Sequence, residues 1–184
     1  MEEVSKTLLA LQKGQTILYP TDTVWGLGCD ATNTKAVSAI YNIKNREESK
    51  SLIILVDSFQ MLSKYIIEIP SIVKDVLDHA KRPTTIIYKN PIGIAQNCIA
   101  ADHTVAVRIV QNDFCQALIR KFGKPIVSTS ANISGMPTPK SFSEIQKTIL
   151  DSVDYVVNLH QEKMADSSSR ILRITNEGIE VVRE

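Results

Sequence analysis

The sequence predicts an open α/β fold around a mixed β-sheet, and three observations carry that expectation. Helical and strand-like segments alternate along the chain, apolar strands run directly into polar turns, and the chain closes on two apolar segments flanking Asn176-Glu-Gly178, a hairpin that brings in antiparallel pairing. With 184 residues, 43% of them hydrophobic, there is apolar material for one sizeable core and too little for two, so residues 1–184 are read as a single domain.

In order, Val4, Leu8 and Leu11 recur at helical spacing before Gly14, which predicts a helix over residues 2–13 closed by a left-handed glycine. A strand over 16–19 enters the turn Tyr19-Pro-Thr-Asp-Thr-Val-Trp-Gly-Leu-Gly28. There Pro20 fixes its own φ, Thr21, Asp22 and Thr23 supply three oxygen-bearing side chains, and Gly26 and Gly28 let backbone approach a ligand. Thr32, Asn33 or Thr34 caps a second helix, with Ala36, Val37, Ile40 and Ile43 on one face as far as Lys44. Lys44, Arg46 and Lys50 then lie where that helix hands over to Leu52-Ile-Ile-Leu-Val56, a continuous apolar run of the buried-strand kind.

Pro70 and Ser71 start a helix through Ile72, Val73, Val76, Leu77 and Ala80, and a strand over 85–88 follows. Residues 90–103, punctuated by Pro, Gly and Asn without a period, read as a long surface loop covering a site. Residues 104–110 alternate as a strand carrying Arg108. Phe114, Ala117, Leu118 and Phe122 form a helix ended by Gly123 and Pro125, and Ile126 and Val127 begin a short strand that runs into a second polar loop, Ser128-Thr-Ser-Ala-Asn-Ile-Ser-Gly135. Ile145 and Ile149 mark a helix behind a Ser141 or Ser143 cap, 155–157 is a strand, and 171–174 pairs with 179–182.

Lysine and arginine total 21 against 20 acidic residues, so net charge advertises neither a nucleic acid nor a membrane surface, and any basic site must be local. Cys29, Cys98 and Cys115 show no metal or redox spacing and read as buried thiols of a reducing compartment. No basic-then-apolar leader and no apolar run of membrane-spanning length is present, which points to a soluble cytoplasmic protein without a membrane partner.

The chemistry must therefore come from polar residues at strand ends, where open α/β sheets bind ligands: Thr21 to Thr23, Arg108, and Ser128 to Asn132, joined by Lys44, Arg46 and Lys50. Cations facing hydroxyls suit a polyphosphate or carboxylate. Lys44 and Arg46 equally suit a solvated helix C-terminus, and Arg108, amid Val105, Val107 and Ile109, must either point outward or be paired. Ser128, Thr129, Ser130 and Asn132 also serve as capping and turn residues. None of His79, His103 and His160 stands in the context of a serine nucleophile, and neither a P-loop nor a GxGxxG fingerprint occurs.

The turn 19–28, the pair Lys44-x-Arg46, the strand Val105-Ala-Val-Arg108 and the segment 128–135, in this order, resemble the YrdC/Sua5 family, also called TsaC, over nearly the whole chain. The resemblance implies a twisted mixed sheet with flanking helices and a large concave cavity, in the short form consisting of the catalytic domain alone. It also implies a nucleotidyltransferase, an L-threonylcarbamoyladenylate synthase. Such an enzyme joins L-threonine, bicarbonate or CO2 and ATP, releases pyrophosphate, and passes its product to a tRNA threonylcarbamoyltransferase acting on adenosine 37. Carried over by motif position, Lys44, Arg46, Ser130 and Asn132 form the catalytic tetrad. Thr21, Arg108, Ser128 and Ser169 bind L-threonine. Thr104, Thr138 and Arg183 join the tetrad around the nucleotide, with Mg²⁺ held mainly by the ATP phosphates. Asp22 is expected to be a structural turn residue.

The chain departs from the family pattern at Trp25, which replaces a tyrosine, at Ser51, which replaces a proline, at Lys81-Arg82, which replaces a Pro-Gly pair, and at Arg170, which replaces a threonine. Lys81 and Arg82 could add contacts to phosphate or RNA. Two further functions share the same features: a non-catalytic module binding tRNA through phosphate contacts, and a related carbamoyltransfer enzyme.

Overall fold

The computed structural model describes residues 2–48, 52–165, 167–175 and 178–184. The expected Lys50 and Ser51, and the hairpin residues Asn176 and Glu177, lie outside the described residues.

Helix α1 (Glu2–Gln12) ends where Gly14 takes φ 72°, and its successor is β1 (Ile17–Tyr19). β2 (Gly26–Gly28) follows a six-residue turn and pairs antiparallel with β1, so the glycines expected in a loop are strand residues. The reason is packing. A Cβ on Gly28 would stand 2.3 Å from the Val127 carbonyl oxygen and 2.7 Å from the Tyr19 ring, and the bare backbone is what lets the fully buried Tyr19 donate its hydroxyl to Val127 O at 2.9 Å.

Asn33 caps α2 (Thr34–Lys44) by accepting from the Lys35 and Ala36 amides, and Asn45, left-handed at φ 49°, ends it. β3 (Ile53–Val56) leads into α3 (Phe59–Tyr65), a short helix that sequence periodicity missed although Ser58 caps it through the Met61 amide. α4 (Ile72–Asp78) is shorter than expected and fully buries Val73 alone. β4 (Thr84–Lys89) and β5 (Thr104–Ile109) bracket the loop expected to cover a site. Instead that loop docks on α2: Ala95 and Cys98 are buried, Asn97 Nδ2 donates to Thr34 O and Ser38 Oγ, and Tyr41 donates its hydroxyl to Asn97 O. Side-chain anchors, invisible to periodicity, decide its course.

Asn112 caps α5 (Asp113–Phe122), which ends on left-handed Gly123. β6 (Ile126–Ser130) extends through Ser128, Thr129 and Ser130, so the expected second polar loop begins only at Ala131. A 3₁₀ turn (Phe142–Glu144) precedes α6 (Lys147–Ser152), and β7 (Tyr155–Val156), β8 (Arg170–Thr175) and β9 (Gly178–Arg183) complete the elements, the last two as the expected hairpin.

The strands form one mixed sheet in the order β7-β1-β2-β6-β3-β5-β4-β8-β9. Its register sorts side chains by face. Val127, Ile54, Val107, Ile86 and Leu172 lie side by side across five strands, each no more than 3% exposed, on the face against which helices pack. One residue along, Ser128, Ile53, Ala106, Ile87 and Arg173 line the opposite face. The next row on that face is Ile126, Leu55, Arg108, Thr85, Ile171 and Arg183. Among the described residues no helix is long and apolar enough to cross a membrane.

Gly28→Ala is expected to lower stability by about 1–3 kcal/mol through overpacking against a backbone carbonyl. Urea unfolding checks it, with a lower midpoint at an unchanged slope; a midpoint equal to that of the parent contradicts the role given to Gly28.

Candidate functional site

A cavity of about 380 Å³ opens on the polar face of the sheet, within the range of roughly 300–1,000 Å³ usual for small-molecule sites. Its floor is Ile53, Ala106, Ile87 and Ile171, its walls carry Thr23, Ser128, Ser130, Thr138 and Ser169, and four arginines reach it: Arg46, Arg108, Arg173 and Arg183. None of its lining residues, among those described, is acidic. A groove of about 430 Å³ under β4 and β8 is larger, but it is lined by Ile69, Pro70, Tyr88 and Ile174 with the opposed charges Glu68 and Lys89, and gathers no set of like charges.

Several expected residues meet in the cavity: Arg46, Arg108, Ser128, Ser130, Thr138, Ser169 and Arg183. Arg108 is 3% exposed and both inward and paired: its Nη2 lies 3.0 Å from Asp22 Oδ1, as an ion contact without hydrogen-bond alignment, and donates to Thr23 Oγ1 at 3.3 Å. Its Nε is buried with no hydrogen-bond partner among the described residues. Breaking a buried pair of this kind by removing one partner generally costs about 3–5 kcal/mol, because the other charge stays behind. At the sheet edge Arg183 donates through Nε and Nη2 to Ser169 O, at 3.1 and 2.8 Å, and Ser169 shares a hydrogen bond with Thr85 at 2.8 Å. Burial, and next the charge of Arg108, hold the Arg183 guanidinium below its ordinary pKa. Two cations thus share one end of the cavity.

Four expected residues lie elsewhere. Thr21 donates its hydroxyl to Val24 O at 2.7 Å and accepts from the Thr23 amide at 3.0 Å, so it builds the turn and faces a small neighbouring pocket of about 60 Å³. Thr104 stops short of the cavity lining and donates to Asp102 at 2.6 Å. Lys44, 1% exposed, is enclosed behind the wall: its ammonium donates to Ser130 O, to Asn132 O at 2.6 Å and to Asn132 Oδ1 at 3.3 Å. Asn132 accepts from Ser130 Oγ and donates to Ile133 O and Met136 O, fixing the same turn from within. Asn45, in its left-handed conformation, separates the two cations, burying Lys44 and sending Arg46 to the cavity. Burial, and then the neighbouring Arg46 charge, bring the Lys44 ammonium down to about 8.

Thr23, one of the strand-end polar residues singled out in the sequence, lines the cavity, whereas Arg173 and the pairing role of Asp22 were missed. Arg173 was legible in principle, since it stands two residues after Ile171 on one strand face. The departures Arg82 and Arg170 both contact the Glu184 carboxylate, Arg170 at 3.6 Å, and neither lines the cavity.

A family model of Sua5, YciO and YrdC, described as telomere recombination, matches residues 9–184. The threonylcarbamoyl-AMP synthase of Pseudoalteromonas translucida is 33% identical over 158 residues, 84% of this chain and 84% of the relative. The putative threonylcarbamoyl-AMP synthase of Methanocaldococcus jannaschii is 35% identical, covering 100% of the chain and 87% of the relative. The crystal structure of P. abyssi Sua5 complexed with L-threonine superposes with a TM-score of 0.87 at 25% identity, covering 98% of this chain and 53% of that one. The chain therefore spans about half the length of that Sua5.

Since Lys44 is charged below about 8 and neutral above it, ATP affinity is expected to be greatest below that pH and to fall as pH rises through it. A terminal phosphate ionises near pH 6, so ATP itself does not titrate in that window. Calorimetric titration with ATP from pH 7 to 9.5 checks this. Lys44→Met should lack the inflection, and a flat profile in the parent contradicts the link between Lys44 and the cavity.

Proposed function

The chain belongs to the Sua5, YciO and YrdC family, and we propose that it condenses L-threonine, bicarbonate or CO2 and ATP into L-threonylcarbamoyl-AMP, releasing pyrophosphate. The observation that carries this reading is the cavity itself, in which four arginines face serine and threonine hydroxyls with no carboxylate among the described lining residues. Such a site favours a polyanion together with a second, smaller anionic substrate.

The chemistry follows from approximation and charge. The threonine amine adds to the carbon of CO2 and loses a proton to give a carbamate. A carbamate oxygen attacks the α-phosphorus of ATP, and the bond from the α-phosphorus to the bridging oxygen breaks, so that its electron pair leaves on pyrophosphate. Neither step needs a protein nucleophile; both need the substrates held together. Arg108 takes the threonine carboxylate, with Ser128 and Ser169 beside it. Arg46 and Ser130 meet the phosphates and stabilise charge moving onto pyrophosphate. Lys44 and Asn132 act from behind the wall by fixing the turn that presents Ser130. Arg183 and Thr138 complete the nucleotide end. Thr104 and Thr21, which the resemblance assigns to the nucleotide and to L-threonine, lie outside the cavity lining and make no substrate contact in this scheme.

Magnesium would arrive on the ATP phosphates. Among the described residues no carboxylate lines the cavity and no group of His, Cys, Asp or Glu side chains is placed to hold a metal, so no step is routed through a protein-held ion. Residues 1–184 would act as one catalytic domain. The product, a reactive mixed anhydride, would pass to a tRNA threonylcarbamoyltransferase in the cytoplasm, where ATP and tRNA are found.

Pyrophosphate release from ATP should require both L-threonine and bicarbonate, and Arg46→Ala should slow it about 100-fold or more while leaving thermal unfolding unchanged. Release independent of threonine, or absent release alongside salt-sensitive tRNA binding, overturns the synthase reading.

A further inference from the structure

Arg108 holds its place because a carboxylate from another element reaches it. Asp22 sits in the turn between β1 and β2, yet its side chain, 10% exposed, spans to β5: Oδ2 accepts from the Gln111 amide at 3.1 Å while Oδ1 lies 3.0 Å from Arg108 Nη2. The same turn is fixed to α5 by Cys115, whose thiol donates to Pro20 O at 3.3 Å, and to Arg108 a second time by the Thr23 hydroxyl. Inside the turn, Thr21 takes the Thr23 amide and the Val24 carbonyl, so Asp22 and Thr23 project together toward β5.

This arrangement occupies one corner of the guanidinium. Asp22 and Thr23 both engage Nη2, and Nε, buried, has no hydrogen-bond partner among the described residues although Arg108 lines the cavity. A guanidinium held at one nitrogen keeps the direction of its remaining N–H groups, and a planar donor fork binds a carboxylate well only in the right plane. Arg183 stands close enough to depress its own ionisation through the charge of Arg108, so an untethered Arg108 would also be pushed by a like charge.

We infer that Asp22 is a positioning residue for substrate recognition: it orients Arg108 between two carboxylates, its own and that of the amino-acid substrate, and so sets affinity for L-threonine without touching it. The inference rests on the synthase reading, which assigns the amino acid to Arg108. Orientation and charge pull in opposite directions here, which makes the claim sharp. Removing the Asp22 charge leaves the cavity more positive, and by Coulomb attraction alone an anionic ligand would then bind more tightly. If orientation governs, binding weakens instead.

Calorimetric titration of L-threonine into the parent, Asp22→Asn, Arg108→Gln and the double variant separates the cases, with inorganic pyrophosphate titrated into each as an internal control and thermal unfolding recorded throughout. Asp22→Asn is expected to weaken threonine binding tenfold or more and to move pyrophosphate affinity by less than threefold; in steady state the KM for threonine rises while kcat changes little. With Arg108→Gln already present, Asp22→Asn should weaken threonine binding no further, since nothing is left to orient. Should Asp22→Asn fold poorly, Asp22→Glu keeps the charge and shifts the guanidinium, and a tenfold loss for threonine alone is again expected. Unchanged or tighter threonine binding, or equal loss for both ligands, overturns the inference while leaving the synthase reading in place. A parent that binds ATP and no threonine overturns the synthase reading and this inference with it.

Discussion

Everything in this molecule depends on the two-residue period of its strands being held in register across the sheet. Ile54, Val107, Ile86 and Leu172 are neighbours on one face, and Ile53, Ala106, Ile87 and Arg173 are neighbours on the other. Slipping one strand by one residue would bury an arginine or a serine under the helices and turn an isoleucine into the cavity. The apolar row thus does two things at once: its burial drives folding, and its register aims Arg108, Ser128 and Arg173 at a common space. Function is specified by the residues that the core leaves facing the other way.

Outside the sheet the same economy recurs at Lys44. An ammonium that is 1% exposed has no acidic partner among the described residues and is satisfied by three oxygens of a single turn. The Ser134 amide returns a hydrogen bond to Lys44 O at 2.8 Å, so the end of α2 and the segment after β6 are tied from both sides. Holding a charge on carbonyl oxygens rather than a carboxylate preserves its net positive field beside the cavity, where a salt bridge would cancel it. The departures Arg82 and Arg170 illustrate the contrast: they share the Glu184 carboxylate at the surface, which offsets one of their two charges, and lie outside the cavity lining. Exposed pairs of that type contribute little to stability.

What the sequence disclosed follows the range of the forces involved. Helix ends at Asn33, Gly14 and Gly123 were legible because capping is decided within a few residues. β2 and the extension of β6 were hidden because Gly26, Gly28, Ser128 and Ser130 are poor strand formers, and only pairing with neighbours makes strands of them. The strand expected around Arg108 is present, and Arg108 and Ser128 both line the cavity, yet the spacing Lys44-x-Arg46 could not say that one left-handed residue would bury the first and expose the second to the cavity. The partner of Arg108 was least legible of all. Burial of an arginine demands acceptors, but any carbonyl or any of the 20 acidic residues could have met the demand, and the carboxylate that does is 86 positions away.

That pairing also explains why three successive polar residues occupy one turn. Thr21 closes the turn on itself, Asp22 carries the charge that a buried guanidinium requires, and Thr23 adds a neutral acceptor to the same nitrogen. A second carboxylate in place of Thr23 would cancel the field that the cavity needs; an apolar residue would leave Nη2 on a single, poorly aligned contact. The sequence Thr-Asp-Thr is the combination that satisfies the guanidinium at one nitrogen while leaving its charge available at the others. The turn and the strand it reaches across to are thus parts of one anion-binding device, although neither contains a complete site.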